Sequence, residues 1–428
     1  MDTKYRTLAR LFHADRSSDA YKNHDRIAAQ RLTADSTFAT GITTPLGELF
    51  VATPRRITML TQRILLAERR VASMWEAMPG VMKWSYITHA ISEELFATNE
   101  MEGVRSTRKE TEAAVAAARQ ASEDGDAGKA RFGEFAKLYL NLTDQDAQLP
   151  KTLEDIRAIY DKVVLDEIPD EDKPDGELFR KDDVEVQGPH GVSIHSGVSG
   201  ETRIAALLAQ MVDLAGSDRM PFLQRAIVSH FLFEYIHPFY DGNGRTGRYL
   251  LALCLNRDLT IPTVLSLSRI IAENKNEYYK AFTEAEDKLN RGELTFFVMT
   301  ILGFIERAQS SLIDELGIKI DQLGKAAGLR DELGKKLGLS TNAVVLLYAV
   351  MQEELFDTAR SMTLEDAASD LRLGKQSARR YVEELHKAGL VEFTGRRPLR
   401  FAASETLRRA MGLETNDRNG DENAIQIE

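Results

Sequence analysis

Residues 237–249, HPFYDGNGRTGRY, place one histidine, one aspartate, three glycines, one asparagine and two arginines between the apolar runs AIVSHFLFEYI and YLLALCL. The two runs read as buried helices, so the first delivers His237 at its C-terminal end. The second begins near Gly244 or Arg245, and the N–H groups of its first turn have no intrahelical partners. Gly242 and Gly244 let the backbone turn tightly and aim several N–H groups at one anion. A helix N-terminus flanked by Arg245 and Arg248 makes a polyphosphate site. Asp241 alone would repel phosphate; a hard divalent cation such as Mg2+ removes the conflict, because it takes carboxylate and phosphate oxygens together. His237 is then the group placed to accept a proton from a nucleophilic hydroxyl.

The elements that must hold these residues are mostly helical. The chain has 428 residues, 43% hydrophobic and 28% charged, which suits two or three soluble domains with proper cores. No run approaches the roughly 18 uninterrupted apolar residues of a membrane span, and the N-terminus MDTKYRTLARLF lacks an apolar signal core. The expectation is a cytoplasmic protein with no membrane partner, its single Cys254 filling a core position. The net charge of -11 argues against bulk nucleic-acid binding, although a local basic patch is compatible with it.

Apolar residues recur at helical spacing from Arg55 to about Met78 and again through YITHAISEELFATNEM, which Gly103 ends. Residues 112–131 read as a helix with a narrow apolar face or a solvated helical connection. DDVEVQGPHGVSIH, residues 182–195, alternates around Gly188, Pro189 and Gly191 and predicts a hairpin, the only convincing strand pair before the C-terminal region. Helices are expected from Glu201 to Leu289 with breaks, and from Leu294 to Leu316, where Gly317 reads as a stop. His230, amid Phe231, Leu232 and Phe233, reads as a structural histidine.

The C-terminal part predicts a separate unit: a helix from Leu364, a turn at Leu373 and Gly374, a second helix ending at Gly389, and two strands with a tight loop. That order is a winged helix. Lys375, Gln376, Arg379 and Arg380 on its second helix, with Arg396, Arg397 and Arg400 around the wing, are candidate DNA contacts; docking of a partner or dimerisation is the alternative use.

The segment from His237 to Arg248 resembles the signature of the Fic (filamentation induced by cAMP) family at every defined position. The resemblance implies a mainly α fold, an all-helical core with a β-hairpin flap, followed here by the α+β winged helix. Residues 1–80 would be a helical extension, 81–310 the Fic domain, 311–335 a helical linker, 336–408 the winged helix and 409–428 a flexible tail. It implies transfer of AMP from ATP to a hydroxyl of a target protein or of the chain itself, with Mg2+ or Mn2+. His237 is the implied general base and Asp241 the metal ligand. Gly242, Asn243, Gly244 and Arg245 are the implied anion cradle, and Arg248 reaches the terminal phosphate. Phe239 is the implied buried anchor of the loop.

TNEMEG resembles the inhibitory motif of the same family, which implies that Thr98, Glu102 and Gly103 end an inhibitory helix over about 85–103. Glu102 would pair with Arg248 and take the place of the γ-phosphate, or position water for removal of AMP from a modified target. The flap, about 184–195, would dock an extended target segment along Val184, Val186, Val192 and Ile194. Asn274 and Tyr278, in SLSRIIAENKNEYYKAF, are possible adenosine contacts, with core packing the reading for Tyr279. A homodimer is possible. His190 and His195 make a poor metal site without further acid or thiol partners.

Overall fold

The computed structural model describes residues 5–124, 130–143, 147–164, 167–187, 193–355, 361–396 and 399–413. Two compact units emerge, Met1–Ser73 with Ile87–Ile313, and Met74–Tyr86 with Asp314–Glu428.

The first unit opens with α1 (Leu8–Ala14) and α2 (Ala20–Leu32), then an antiparallel hairpin of β1 (Thr37–Thr44) and β2 (Gly47–Ala52). This hairpin was not expected within the helical extension of residues 1–80. Its alternation is visible in the burial of β1, where residues 40, 42 and 44 point inward, but a bulge between Ala39 and Thr43 and the short turn at Pro45 blur it in sequence. Phe50 pairs its backbone with residues 292–294, tying the hairpin into the unit.

Next come α3 (Arg55–Glu76), α4 (Gly80–Met101), α5 (Arg108–Asp124), α6 (Gly133–Asn141) and α7 (Leu153–Val163). Thr152 and Asp155 cap α7 reciprocally, which fixes where it starts. A short hairpin, β3 (Glu185–Gln187) and β4 (Ser193–Ser196), pairs Glu185 with Ser196 and Val186 with His195. Helices α8 (Glu201–Gly216), α9 (Phe222–Ile236) and α10 (Asn243–Leu255) follow. In α9 nearly every side chain is buried, from Leu223 to Ile236, so it is the central helix rather than an amphipathic surface one. Then come α11 (Ile261–Leu265), α12 (Leu267–Glu273), α13 (Lys275–Glu286) and α14 (Thr295–Leu337), whose residues from Asp314 on belong to the second unit.

Helix α14 runs on through Gly317, the expected stop. A mid-helix glycine costs only about 1 kcal/mol, and the apolar stripe that includes Leu316 continues beyond it with Leu323 and Ala326 buried. By length and composition α14 could cross a membrane, and 56% of its most apolar window is buried inside the protein.

The second unit contains α15 (Thr341–Leu355), β5 (Met362–Thr363), α16 (Leu364–Leu371), α17 (Lys375–Lys387), β6 (Val391–Arg396), β7 (Leu399–Ala403) and α18 (Glu405–Ala410). The strands form one antiparallel sheet in the order β5-β7-β6. Its core joins Leu346, Val350, Ala378, Val382, Leu385 and Phe401. Leu407 of α18 is fully buried, and the helix itself runs to Ala410, two residues past the expected end of the unit at 408. Residues 414–428 lie outside the described residues, as do Val192, His190 and Arg397.

Candidate active site

His237 stands where α9 ends, with φ at 52°, a left-handed backbone that is uncommon for a residue other than glycine. Such strain persists only where the surroundings enforce it. Here they do: the Val198 N–H donates to the Ile236 carbonyl at 3.0 Å and the Arg180 N–H to the Pro238 carbonyl at 3.1 Å. Burial, with His195 and Arg180 acting in the same direction, lowers the His237 imidazole to about 3, against a hydrogen bond to the Glu234 carbonyl. The ring is therefore neutral near pH 7. One nitrogen serves the carbonyl, and the other is left as an acceptor.

The loop beyond is locked from beneath. Phe239 is fully buried and stacks on Tyr160 with ring centroids 3.5 Å apart. Asn243 accepts from the Phe239 N–H at 2.9 Å and donates to the Phe239 carbonyl at 2.8 Å. Its side chain thus closes the loop, leaving only its backbone for an anion. Gly242 has φ at 78°, and a Cβ there would come within 2.5 Å of Val164. Both facts require glycine. Asp241 stays exposed, its Oδ1 accepting from the Gly242 N–H at 2.6 Å.

Each arginine of the loop is buried and paired. Arg248, 3% exposed, donates through Nε to Thr98 Oγ1 at 2.8 Å and through Nη2 to Glu102 Oε1 at 2.7 Å. Thr98 lies in the last turn of α4, and Gly103, with φ at 71°, turns the chain away just after Glu102. The Glu102 carboxylate sits against the first turn of α10: a Cβ on Gly244 would meet its Oε1 at 2.2 Å. A carboxylate placed there takes the position that suits an anion at a helix N-terminus. Arg245, 1% exposed, donates to Glu167 Oε2 at 2.7 Å, and Arg131 reaches the other oxygen of Glu167 at 3.1 Å.

Glu167 and Arg180 escape a reading by spacing, since each lies in an irregular segment far from the loop. Glu234 could have been noticed, three residues before His237 within the apolar run FLFEYI. Burial lifts its carboxyl to about 8, Arg248 opposing and Glu102 adding to the shift, and its Oε1 packs where a Gly247 side chain would be.

The two neighbouring tyrosines are placed differently. Tyr278 is buried and its hydroxyl hydrogen bonds His230 Nε2 at 2.8 Å, whereas Tyr279 is 38% exposed and donates to the Met101 carbonyl beside Glu102. The aromatic core takes Tyr278, which packs edge-on against Phe282. His230 Nδ1 faces the Gly247 carbonyl at 3.1 Å, which makes it the structural histidine expected. Asn274 is committed to the Ile270 carbonyl and Arg307. His195 of β4 bonds Glu286 at 2.7 Å and the Tyr235 carbonyl at 2.9 Å. Val184 is half-buried at the hairpin's base, while Val186 and Ile194 are placed by backbone pairing within it.

In the second unit, Lys375 pairs with Glu365 at 3.2 Å and Arg379 with Glu383 at 3.0 Å; Gln376 and Arg380 are exposed, and Arg396 pairs its backbone with Leu399.

Residues 150–255 match the model of the Fic/DOC family. The chain is similar to protein adenylyltransferase fic-1 of Caenorhabditis briggsae, 37% identical over 94 residues that make up 21% of this chain and 17% of that one. A probable protein adenylyltransferase of Aquifex aeolicus is 39% identical over 77 residues, 16% of this chain and 22% of the other. The chain thus spans about a fifth of the length of these curated relatives. A crystal structure of a Fic family protein from Desulfovibrio desulfuricans aligns with a TM-score of 0.47 at 18% identity, over 83% of this chain and 97% of that one.

Proposed function

Because this chain carries a Fic domain over residues 150–255, we propose that it is a protein adenylyltransferase, moving AMP from ATP to a hydroxyl of a target protein or of itself, with Glu102 as its restraint. The observation that carries this reading is the bond from Arg248 to Glu102 at 2.7 Å beside the first turn of α10. An anion site with both arginines buried is costly to build, and it is here satisfied by a carboxylate that a phosphate could replace.

In the proposed reaction the target oxygen bonds to the α-phosphorus while the bond from that phosphorus to the β-phosphate's bridging oxygen breaks. Pyrophosphate leaves, and the hydroxyl proton passes to His237. The negative charge of the triphosphate favours the protonated imidazole, raising the histidine from its low value as the substrate arrives. The first turn of α10 and Arg248 hold the phosphates, so positioning and charge compensation carry most of the catalysis.

Asp241 fits a metal ligand, since its carboxylate is exposed next to the anion loop and bonded to a backbone N–H. Among the described residues no three His, Cys, Asp or Glu side chains converge on one point, so Mg2+ would take its remaining oxygens from phosphates and water, as is its habit. When bound, the ion would neutralise phosphate charge. Asp241 would orient it.

Incubation of wild type and Glu102→Gly with α-labelled ATP and Mg2+, followed by mass spectrometry for an AMP adduct, tests the proposal. Labelling by the variant supports it. Absence of labelling, with loss of AMP removal from a modified protein, would assign Glu102 to the reverse reaction. A further role for the second unit, contact with DNA through a winged-helix face, is supported by exposed Gln376 and Arg380 and weakened by the acid partners of Lys375 and Arg379. Salt-dependent binding of a mixed-sequence duplex would test that role.

A further inference from the structure

The hairpin β3–β4 is fastened at both roots to the turn that carries His237, and one side chain makes most of the fastening. Arg180 is fully buried. Its Nε donates to the His237 carbonyl at 2.8 Å, Nη1 to the Asp182 carbonyl at 2.5 Å, and Nη2 to the Val198 carbonyl at 2.8 Å and the Ile236 carbonyl at 3.4 Å. Asp182 precedes β3 and Val198 follows β4, so one guanidinium bridges the entry of the hairpin, its exit and the end of α9.

A buried cation held by carbonyl oxygens is an expensive way to fill a core. Desolvation pulls the Arg180 guanidinium below its ordinary value, and a hydrocarbon would pack as well without that penalty. What a hydrocarbon lacks is the fixed fork of donors, which sets the distance between several backbone segments at once. The approach to Arg180 is itself pinned: Glu201, at the start of α8, accepts from the N–H groups of Glu177, Leu178 and Phe179.

The exit side is equally close. A Cβ on Gly197 would lie 2.4 Å from Arg180 Nη2 and 3.1 Å from His237 Cβ, so the backbone leaving β4 runs against the histidine. Two residues earlier, His195 joins β4 to Glu286 of α13 and to the Tyr235 carbonyl of α9. Its ring centroid is 6.2 Å from that of His237. The hairpin roots and the histidine turn therefore form one fastened body, with Arg180 inside it and His195 at its rim.

We infer that Arg180, with His195 as its outer brace, is a positioning residue for protein modification, setting the hairpin edge that docks the target at a fixed distance from the His237 imidazole. The inference rests on the adenylyltransferase reading. Misplacement of reacting groups by about 1 Å can cost a hundredfold in rate, so a clasp of this kind has an effect on transfer well beyond its effect on ATP binding, whose groups lie on α10 and Arg248.

The test places Arg180→Lys and, separately, His195→Gln in the full chain carrying Glu102→Gly. Three quantities are measured: the self-labelling rate at saturating ATP-Mg, the Kd for ATP-Mg by calorimetry, and amide hydrogen exchange. The expected result for Arg180→Lys is a labelling rate lower by about tenfold or more, a Kd changed less than about twofold, and faster exchange across 185–187 and 193–198 with α10 unchanged. His195→Gln should shift the same quantities in the same directions, by less. Unchanged exchange and labelling in both variants would overturn the inference, as would a fall in ATP affinity that matches the fall in labelling. If Arg180→Lys fails to fold, the His195→Gln result decides alone. If the parental Glu102→Gly chain labels nothing, the transfer reading is what fails, and the clasp stands or falls on the exchange pattern with ATP affinity retained.

Discussion

The loop after α9 and the helix α17 both gather cations, and the protein treats them in opposite ways. Arg245 and Arg248 are 1% and 3% exposed, each bonded to a carboxylate from a distant part of the chain. Lys375 and Arg379 keep 60% of their side-chain surface in water and pair with acids on their own or the neighbouring helix. Removing one partner of a buried pair costs about 3–5 kcal/mol because the other charge is stranded. An exposed pair contributes about 0–1 kcal/mol. The loop is therefore a built site whose charges require a partner, and α17 is a solvated face whose charges do not.

The sharpest way to break this contrast is to remove the chemistry and leave the charges. His237→Ala, placed in the Glu102→Gly chain, should lower AMP transfer at least about a hundredfold, the scale of a lost general base. ATP-Mg affinity by calorimetry should hold, because the imidazole makes none of the phosphate contacts. Retained transfer would remove His237 from its role.

Glu167→Ala tests the buried side. Stranding Arg245 should lower stability in urea by about 3 kcal/mol, and ATP-Mg should recover part of the loss as phosphate replaces the carboxylate. Insensitivity to the substitution would mean that Arg245 finds water in place of Glu167.

Glu234 yields a pH test. Its folded value, raised by burial to about 8, exceeds the ordinary 4.5, so its contribution is fully present below pH 4.5 and is lost as pH rises through 8. Glu94, raised by burial to about 7, acts with the same sign. Below pH 6.5 the buried His237 and His230, both lowered to about 3, act with the opposite sign, so melting temperatures of wild type should fall between about pH 6.5 and 8, and Glu234→Gln should flatten that fall without removing the Glu94 share. Parallel curves would contradict the burial of that carboxylate.

The smallest effect belongs to α17. Arg379→Ala should change stability by no more than about 0.5 kcal/mol and leave labelling untouched. A larger loss in denaturant would show that this face is packed against something.

Legibility followed the distance between partners. From His237 to Arg248 the residues are neighbours in the chain, so residue type and spacing were enough to propose a general base, an anion cradle and an arginine. Glu102 pairs across 146 positions with Arg248, and nothing in the adjoining helix marks it; only the resemblance carried by TNEMEG did. Arg180 and Glu167 had neither spacing nor resemblance, because each is recruited from irregular chain by tertiary packing. The hairpin at 37–52 was hidden by its bulge, and α14 outlasts Gly317 because burial of Leu323 and Ala326 outweighs a weak local preference. Tyr278 and Tyr279 show the limit most plainly: adjacent and alike, they are separated only by which one the core accepts.

The central claim is that Glu102 occupies, on Arg248, a place that phosphate takes in the active enzyme. Its most direct test is the thermal shift of wild type and Glu102→Gly on adding ATP-Mg, read beside α-labelled AMP incorporation. The account requires the variant to melt below wild type without nucleotide, to gain more from ATP-Mg, and to incorporate AMP where wild type incorporates little. Equal melting, equal gain and equal incorporation would contradict it.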